Sequence, residues 1–345
     1  MHEHHMRSAL AIARTGLGRA APNPSVGCVI VKNGAIVSRA RTADGGRPHA
    51  ERAALEQAGN AARGATLYVT LQPCSHHGQT PPCTDAIIKA DIKTVVMGAF
   101  DPKMDMNRLQ DAGIEVITGI LEQECRALNA GFFNALEHNR PFITLKTACT
   151  LDGKIACASG ESQWITGEQA RRHTHLIRSQ HDAILIGSGT ALKDDPTLST
   201  RLDGVEHKTI RIVLDNNLRL PQDSNLIKTS TDLPLWIFHD TDRTLKGAEL
   251  IKEDTYYLKK IMQTLVKKGI TRILVEGGAT IHASFLKEKL WDEFLIYRAP
   301  TLLGEEHKTM MPSMNITELA QRYDMQRKSL RLLGQDVLET YQPKA

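Results

Sequence analysis

The stretch Pro48-His49-Ala50-Glu51, followed by Pro73-Cys74 and Cys83, decides how the first part of this chain is expected to fold. One imidazole and two thiolates are a typical ligand set for a tetrahedral zinc ion that keeps its fourth position open to water. Residues two apart on a helix do not face the same side, so His49 and Glu51 are expected to serve different partners. The spacing therefore predicts a zinc ion bound by His49, Cys74 and Cys83.

The same residues predict a reaction. A His-x-Glu pair followed by Pro-Cys and a second Cys is the pattern of zinc-dependent base deaminases. Bound zinc lowers the pKa of water from ~15.7 to about 7, which makes hydroxide available at neutral pH. Glu51 fits the proton shuttle, which takes a proton from this water and passes it to the ring nitrogen and the leaving amine. Glu51 is therefore the predicted catalytic residue.

A structural zinc site is the alternative interpretation of these motifs. A His-x-Glu pair alone occurs by chance in many helices, but 23 residues separate His49 from Pro73, which leaves room for a strand. A structural site would normally need a fourth ligand, for which His76 and His77 are available. We interpret these two histidines as loop residues near the site.

Composition limits the class of protein. The chain has 345 residues, a net charge of +4 and 5% aromatic residues, which favours two globular domains without a basic or base-stacking surface for nucleic acid. Two of the six cysteines are assigned to zinc and the rest have no disulfide-framework spacing, which suits a reducing compartment. No apolar run approaches 18 residues. We expect a cytoplasmic protein without nucleic-acid or membrane partners.

Strands alternate with helices in the first 140 residues, which predicts an α/β layer architecture. A strand over Thr66–Leu71 is expected to deliver Cys74 just past its end, and Cys83 is expected to open a helix. The apolar pattern predicts one helix over Leu121–Asn139, ended by Arg140-Pro141. We place the domain boundary there, which gives domains 1–140 and 141–345.

The second domain is also predicted to be α/β. Thr166-Gly167-Glu168-Gln169 has the pattern of a capping box that opens a helix to about Gln180, and Leu151–Ala156 is predicted to be a loop. Further strands and one helix are predicted from apolar runs: Phe142–Ala148, Ala183–Gly187, Arg272–Val275, the helix Ile281–Lys289, Leu330–Leu333 and Val337–Tyr341.

Two glycine-rich turns are candidates for binding a dinucleotide. Gly187-Ser188-Gly189 follows a strand, but Leu192 stands where a Rossmann fingerprint needs its third glycine. In the turn Glu276–Thr280, small residues at a helix N-terminus would let backbone N–H groups approach a pyrophosphate. An ordinary tight turn is the alternative for the second segment.

Three segments resemble a known family: Ala21–Val31, Pro48–Glu51 and Pro73–Cys83 are similar to the bifunctional deaminase/reductase of riboflavin biosynthesis. Eight residues separate Cys74 from Cys83, whereas nucleoside and nucleic-acid deaminases usually have Pro-Cys-x-x-Cys. The resemblance implies a cytidine-deaminase-like α/β/α domain in which Asn23 helps to hold the pyrimidine. It implies zinc-dependent hydrolytic deamination of 2,5-diamino-6-ribosylamino-4(3H)-pyrimidinone 5′-phosphate, and then NADPH-dependent reduction of the ribosyl group to ribityl.

The second half resembles the same family, in which this domain is similar to dihydrofolate reductase in fold. The resemblance implies that one set of residues faces NADPH: Ala148, Trp164, Thr190, Asp194, Gly277, Gly278 and Ala279. It implies that a second set faces the substrate: Ser162, Arg178, Leu198, Arg201 and Glu276. Arginines can clamp a ribose phosphate through bidentate bonds, although without the resemblance surface ion pairs would be the preferred reading of Arg178 and Arg201. A homo-oligomer is expected.

The sequence departs from the family pattern at Gln72, at Thr42 and in the shortened stretch 101–107, none of which removes a predicted ligand. A second hypothesis is a nucleic-acid or free-nucleoside deaminase with an appended binding domain. A third is a non-catalytic binding module built around zinc. Glu51 separates the last from an enzyme, because a structural zinc site has no use for this carboxylate.

Overall fold

The computed structural model of this chain describes residues 1–105, 107–204 and 208–344. The chain divides into two compact units, Met1–His138 and Asn139–Ala345, each with its own sheet and apolar core. The α/β class predicted from the sequence is confirmed in both. Within the shortened stretch 101–107, Met106 lies outside the described residues. No helix in the described part of the chain combines the length and apolar character needed to cross a bilayer.

The first unit is built on a five-stranded sheet in the order β2-β1-β3-β4-β5. β1 is antiparallel to β2 and β3, whereas β3, β4 and β5 are parallel. The central strands are continuous apolar runs, as expected when both faces of a sheet are covered. The strands are β1 (Gly27–Lys32), β2 (Ala35–Arg41), β3 (Thr66–Leu71), β4 (Thr94–Ala99) and β5 (Glu115–Ile117).

The helices of this unit supply the apolar layers that cover the sheet. They are α1 (His2–Arg14), α2 (Ala50–Ala58), α3 (Cys83–Lys89), α4 (Asn107–Asp111), α5 (Glu122–Leu128) and α6 (Ala130–His138). The single helix predicted over Leu121–Asn139 is wrong, because the chain breaks at Asn129 (φ −98°, ψ 25°). The break lets Cys125 and Phe133, on different helices, both reach the core.

The second unit is built on a nine-stranded sheet in the order β11-β10-β9-β8-β12-β6-β13-β16-β15. Reading along this order, each strand from β11 as far as β13 is parallel to its neighbours. Strand β16 then pairs antiparallel with β13, and β15 pairs antiparallel with β16. Its strands are β6 (Phe142–Cys149), β8 (Ala183–Gly187), β9 (Ile210–Leu214), β10 (Leu235–His239), β11 (Glu249–Lys252), β12 (Arg272–Val275), β13 (Glu293–Arg298), β15 (Met325–Leu333) and β16 (Asp336–Pro343). A separate pair consists of β7 (Lys154–Ala156) and β14 (Lys308–Thr309).

The described residues of this unit form five α-helices: α7 (Glu168–Ser179), α8 (Ser188–Asp194), α9 (Asn225–Lys228), α10 (Leu258–Lys267) and α11 (Ala279–Lys287). Helices α8 and α11 each follow a parallel strand directly, so their N-termini lie at the carboxyl edge of the sheet. Ligands of open α/β sheets bind at this edge.

Three local predictions for this unit are wrong. The segment 151–156 is not entirely a loop, because β7 pairs with β14. The predicted capping box fails because the N-cap of α7 is Gly167, whose N–H donates to an Asp336 carboxylate oxygen at 2.7 Å. Helix α11 begins at Ala279 rather than Ile281. In the first two cases a partner distant in sequence decides the structure. In the third case the helix begins two residues earlier, inside the predicted turn.

Candidate active sites

Three predicted metal ligands meet at the ends of three elements. His49 is the N-cap of α2, Cys74 follows β3 and Cys83 is the first residue of α3. The His49 Nδ1 atom lies 3.6 Å from the Cys74 Sγ and 3.4 Å from the Cys83 Sγ. Tetrahedral zinc with ordinary bond lengths would separate nitrogen and sulfur ligands by about 3.6 Å. The donor atoms therefore have the spacing and chemistry that zinc requires.

The group of potential ligands contains these three residues and no others from the described part of the chain. His76 and His77, the alternatives for a fourth ligand, are not in it. His76 instead lines the adjoining cavity. A three-residue set leaves one tetrahedral position for water or substrate, which is the arrangement of catalytic rather than structural zinc sites.

The surroundings favour thiolate and a buried carboxyl group. The hydrogen bond from the Cys83 thiol holds the pKa of Cys74 at about 4, and the backbone N–H of Cys83 donates to the same sulfur at 3.3 Å. Glu51 lies in the first turn of α2 with only 3% of its surface exposed. Burial raises the pKa of Glu51 to about 7. Glu51 is not among the three residues whose ligand atoms come together, which agrees with a role other than ligand.

A cavity of about 200 Å³ adjoins the metal-binding atoms and is lined by Asn23, His49, Glu51 and Cys74, among others. The Asn23 side chain donates to the Gly46 carbonyl at 2.8 Å, which fixes its orientation at the cavity wall. The structure thus brings the predicted pyrimidine residue together with the predicted ligands and shuttle. The volume suits one heterocyclic ring.

Thr42 and Gln72, at which the sequence departs from the family pattern, form hydrogen bonds that hold the loops around this cavity. The Thr42 hydroxyl accepts a bond from the Val26 N–H at 2.9 Å and donates to the Pro24 carbonyl at 3.0 Å. The Gln72 amide accepts from the Asp101 N–H at 3.2 Å and donates to the Met104 carbonyl at 3.3 Å. Both side chains therefore have complete local partners.

Sequence reasoning missed several cavity residues. Arg47 donates to the Thr80 hydroxyl at 2.9 Å, and Lys103 lies on the opposite loop of the lining. The position of Arg47 just before Pro48 was the available signal. A basic residue two positions from a metal ligand must lie near the metal site, whatever the rest of the fold.

The second unit contains an open cleft of about 900 Å³ at the carboxyl edge of its sheet. Five predicted residues line it: Ser162, Thr190, Asp194, Gly278 and Ala279. The Gly278 N–H donates to the Thr190 hydroxyl at 3.1 Å, which joins the first turn of α11 to helix α8. The cleft therefore places a helix N-terminus with small residues where an anionic group of a cofactor can approach.

The other predicted cofactor residues are not among the described residues that line this cleft. A Cβ on Gly277 would come within 2.0 Å of the Ile281 Cγ2, so only glycine permits this turn to pack on α11. Trp164 is 65% exposed, with the Arg171 guanidinium 4.7 Å from its ring centroid. Ala148 packs beside a small cluster that includes Tyr297.

Two predicted substrate residues form a buried ion pair. Arg178 donates from Nε to one oxygen of Glu276 at 2.6 Å and from Nη2 to the other at 2.9 Å. Burial alone would raise the pKa of Glu276, but the charge and hydrogen bonds of Arg178 lower it to about 2. Both side chains are therefore fully charged at neutral pH and hold each other in one orientation.

The remaining substrate candidates lie on one loop after α8. Leu198 is buried and has a left-handed backbone conformation (φ 52°). The Ser199 carbonyl accepts from Arg178 Nη1 at 2.9 Å, and the Arg201 N–H donates to the His175 Nδ1 at 3.3 Å. The loop thus brings Leu198 and Arg201 next to the Arg178–Glu276 pair, although none of these four is among the cleft-lining residues of the described chain.

Sequence reasoning also missed several residues that line the cleft. Asn216, Asn217 and Arg219 line it, and Arg219 donates to the Ser188 hydroxyl at 2.6 Å. These residues follow the buried strand β9, as Ser188 follows β8. The signal was available, because polar residues just after parallel strands meet at one edge of the sheet.

Comparison with known proteins finds a family for each half of the chain. Residues 1–99 match the model of the cytidine and deoxycytidylate deaminase zinc-binding region, and residues 141–338 match the RibD C-terminal domain. The riboflavin biosynthesis protein RibD of Aquifex aeolicus is 39% identical, covering 97% of each chain. RibD of Escherichia coli strain K12 is 40% identical with the same coverage.

Solved structures agree as well. The diaminohydroxyphosphoribosylaminopyrimidine deaminase/5-amino-6-(5-phosphoribosylamino)uracil reductase of Thermotoga maritima aligns with a TM-score of 0.92 and 35% identity, covering 100% of this chain and 99% of that one. Acinetobacter baumannii RibD aligns with a TM-score of 0.90 and 36% identity, covering 99% of each.

The fold and the two sites define a zinc-dependent deaminase joined in one chain to an NADPH-dependent reductase. The first unit has the cytidine-deaminase-like fold and the second the fold of the RibD reductase domain. The chain belongs to the RibD family, the bifunctional enzymes of riboflavin biosynthesis.

Proposed function

We propose that the residues described above divide the two reactions of riboflavin biosynthesis between domains 1–140 and 141–345. In the first, His49, Cys74 and Cys83 hold zinc and Glu51 moves protons. In the second, the open cleft holds NADPH and the Arg178–Glu276 region holds the substrate. The observation that carries the proposal is the convergence of three metal-binding atoms within 4.8 Å of one another beside a buried carboxyl group.

In the deaminase, Asn23 orients the pyrimidine so that its amine-bearing carbon faces the metal site. Zinc held by the three ligands supplies the Lewis acid that activates water. Glu51 accepts a proton from the attacking water and delivers it to the ring nitrogen, then takes the remaining hydroxyl proton of the adduct and delivers it to the amine. The carbon–nitrogen bond breaks, ammonia leaves and the ring gains a carbonyl group. Burial of Glu51 keeps bulk water from competing for these protons.

In the reductase, NADPH supplies the hydride that reduces the anomeric carbon of the ring-opened imine. Six residues are proposed to hold the cofactor by their place in or around the cleft, with Ala148 beneath them: Trp164, Thr190, Asp194, Gly277, Gly278 and Ala279. The Gly278 turn would take the pyrophosphate, because its backbone can approach closely. The Asp194 carboxyl group, whose pKa is raised by burial, would lie near the reacting end and assist protonation.

The substrate is proposed to lie against Ser162, Leu198 and the Arg178–Glu276 pair. Arg178 uses Nε and Nη2 for Glu276 and one Nη1 proton for Ser199, so part of its guanidinium remains available to an anion. Arg201 is exposed at the loop end and would contact the ribose phosphate together with it. A surface ion pair, the alternative reading of Arg178, is not compatible with its burial.

The first test follows ammonia and NADPH in one vessel. Purified, zinc-loaded protein receives the diaminopyrimidinone ribosylamine phosphate with or without NADPH. Ammonia without cofactor, and NADPH consumption only after ammonia appears, are the expected results. Ammonia without NADPH consumption would reduce the second unit to a binding role. If no ammonia is released, nucleosides and single-stranded oligonucleotides become the next substrates to test.

Self-association is proposed through the outer edge of the second unit. Strand β15 ends the sheet, and its Leu330 and Leu332 are 52% and 72% exposed. An edge strand with two exposed leucines can pair with a second copy, although Arg327, Lys328 and Arg331 on the same strand oppose such pairing. Light scattering should give a dimer or larger mass that falls to monomer in Leu332→Glu. An unchanged mass for that variant would contradict this interface.

The compartment is proposed to be the cytoplasm. All six cysteines are free, including four that are neither metal ligands nor paired. Free thiols persist in reducing compartments. The net charge of +4 without basic runs supports a small-molecule substrate rather than a nucleic acid.

A further inference from the structure

Arg211 on β9 is the largest side chain in the described chain that is fully buried. Burial lowers its pKa to about 10, so the guanidinium remains charged at neutral pH. A buried charge is tolerated only when its hydrogen-bonding groups find partners. The partners of Arg211 therefore indicate what it does.

Arg211 joins two segments that are distant in sequence. One Nη1 proton goes to the Thr197 carbonyl at 3.2 Å and the other to the Thr229 hydroxyl at 2.7 Å. Nη2 donates to the Leu233 carbonyl. Thr229 and Leu233 belong to the turn after α9, whereas Thr197 begins the loop after α8. Arg211 therefore joins the loop after α8 to the turn after α9.

The tied loop is the one that carries the proposed substrate contacts. Leu198, directly after the bonded carbonyl, is in a left-handed conformation that a leucine adopts only when its surroundings hold it there. One residue further, the Ser199 carbonyl accepts from Arg178. The bond from Arg211 thus fixes one end of a short segment, and Arg178 fixes the other.

We propose that Arg211 is a positioning residue for substrate binding in the reductase. It does not touch the substrate. It holds the Thr197 carbonyl so that Leu198, Ser199 and Arg201 keep the geometry that the substrate meets. The proposal rests on the proposed substrate role of this loop. Cofactor binding should not depend on Arg211, because none of its partners lines the cleft in the described chain.

Steady-state kinetics of Arg211→Met provide the test. Methionine fills a similar volume but leaves the Thr197 and Leu233 carbonyls without this donor, so the folding of the variant is checked first by its Tm. The KM for the deaminated substrate is expected to rise about tenfold, which corresponds to about 1.4 kcal/mol of lost binding. The KM for NADPH and the rate of deamination, measured on the same preparation, should stay the same.

Three further variants keep the test decisive. Thr229→Val removes one acceptor of Arg211 with little change of shape, so it should raise the same KM by a smaller factor and decides the matter if Arg211→Met does not fold. The substrate KM of Arg211→Lys should lie between that of Arg211→Met and that of the wild type. Arg272→Met, another buried arginine in the same sheet, should leave the substrate KM unchanged.

The outcomes separate this inference from the proposed function. An unchanged substrate KM in Arg211→Met and Thr229→Val, or equal changes in both KM values, would overturn the positioning role. Arg201→Ala should raise the substrate KM directly. If it does not, the assignment of Arg201 fails, whereas a raised KM in Arg211→Met would still assign the loop through Leu198 and Arg178.

Discussion

The zinc cavity and the Arg178–Glu276 region are built in opposite ways. The zinc ligands are three residues at the ends of elements that follow one another along the chain, and they leave a cavity open beside them. Arg178 and Glu276 are 98 residues apart and satisfy each other through two hydrogen bonds. The first site gathers three side chains around one position that a metal would share, whereas the second pairs two side chains with each other.

This difference teaches how each site should respond to change. A site whose side chains converge on a common ligand loses its chemistry when one side chain changes, but the fold keeps its other contacts. A site paired within itself loses structure together with function, because the remaining partner becomes an unpaired buried charge. The two units of one chain allow the two responses to be compared in a single protein.

The largest expected effect comes from Glu51→Gln. Glutamine keeps the size of the side chain but cannot move protons, so ammonia release should fall by about 10³-fold, within the range for general acid–base groups. Zinc content, determined by metal analysis, and reduction of the deaminated intermediate should be unchanged. Glu56→Gln on the exposed side of the same helix is the control. Retained deamination would remove Glu51 from the mechanism.

The second effect concerns Glu276→Gln. The amide can no longer match the charge of Arg178, so we expect a loss of about 3–5 kcal/mol in the free energy of unfolding of the second unit. NADPH consumption should fall by at least about 100-fold, and ammonia release should not change. Glu249→Gln removes an exposed pair with Lys268 and should cost no more than about 1 kcal/mol. Equal losses in the two variants would contradict the paired-site interpretation.

The third effect is acid sensitivity of the second unit. Burial lowers the pKa of His181 to about 3 and that of His282 to about 4, below the ordinary value of 6.5. Below pH 6.5 the unfolded chain binds protons that the folded one does not, so stability falls with pH by about 1.4 kcal/mol per unit for each histidine. The fall in stability stops near the folded pKa values, which are about 3 for His181 and about 4 for His282.

Denaturant unfolding between pH 6.5 and 5 measures this slope before the Glu276 carboxyl group begins to titrate. His282→Gln should make the slope shallower, while His138→Gln, on the surface of the first unit, should leave it unchanged. A slope that does not change in His282→Gln would show that this histidine is already protonated in the folded state.

The smallest expected effect distinguishes two neighbouring glycines. A Cβ on Gly278 would meet the Thr190 hydroxyl at 3.6 Å, an ordinary contact, so Gly278→Ala should fold normally. Its methyl group would hold a pyrophosphate away from the helix N-terminus and raise the KM for NADPH about fivefold, or about 1 kcal/mol. Gly277→Ala should instead lower Tm, because its Cβ collides with Ile281. The reverse pattern would move the cofactor away from this turn.

Local signals in the sequence were sufficient for much of the fold. The strand predicted over Thr66–Leu71 and the helix predicted to begin at Cys83 have those bounds in the structure. Apolar runs and prolines act over a few residues, so they can be read without knowing the fold. The capping box predicted at Thr166 failed because Asp336, far along the chain, accepts the bond from the Gly167 N–H. The helix predicted across Asn129 failed because packing brings Cys125 and Phe133, on either side of the break, into the core.

The sequence by itself determined the metal-binding set, because His49, Cys74 and Cys83 stand at element ends whose spacing follows from local structure. Only the tertiary structure decided that Arg178 meets Glu276 and that Arg211 holds the loop of Leu198. Those contacts depend on sheet order, in which β8 lies between β9 and β12 although β12 is far along the chain. Strand order is set by the packing of the whole sheet, and short stretches of sequence do not contain it.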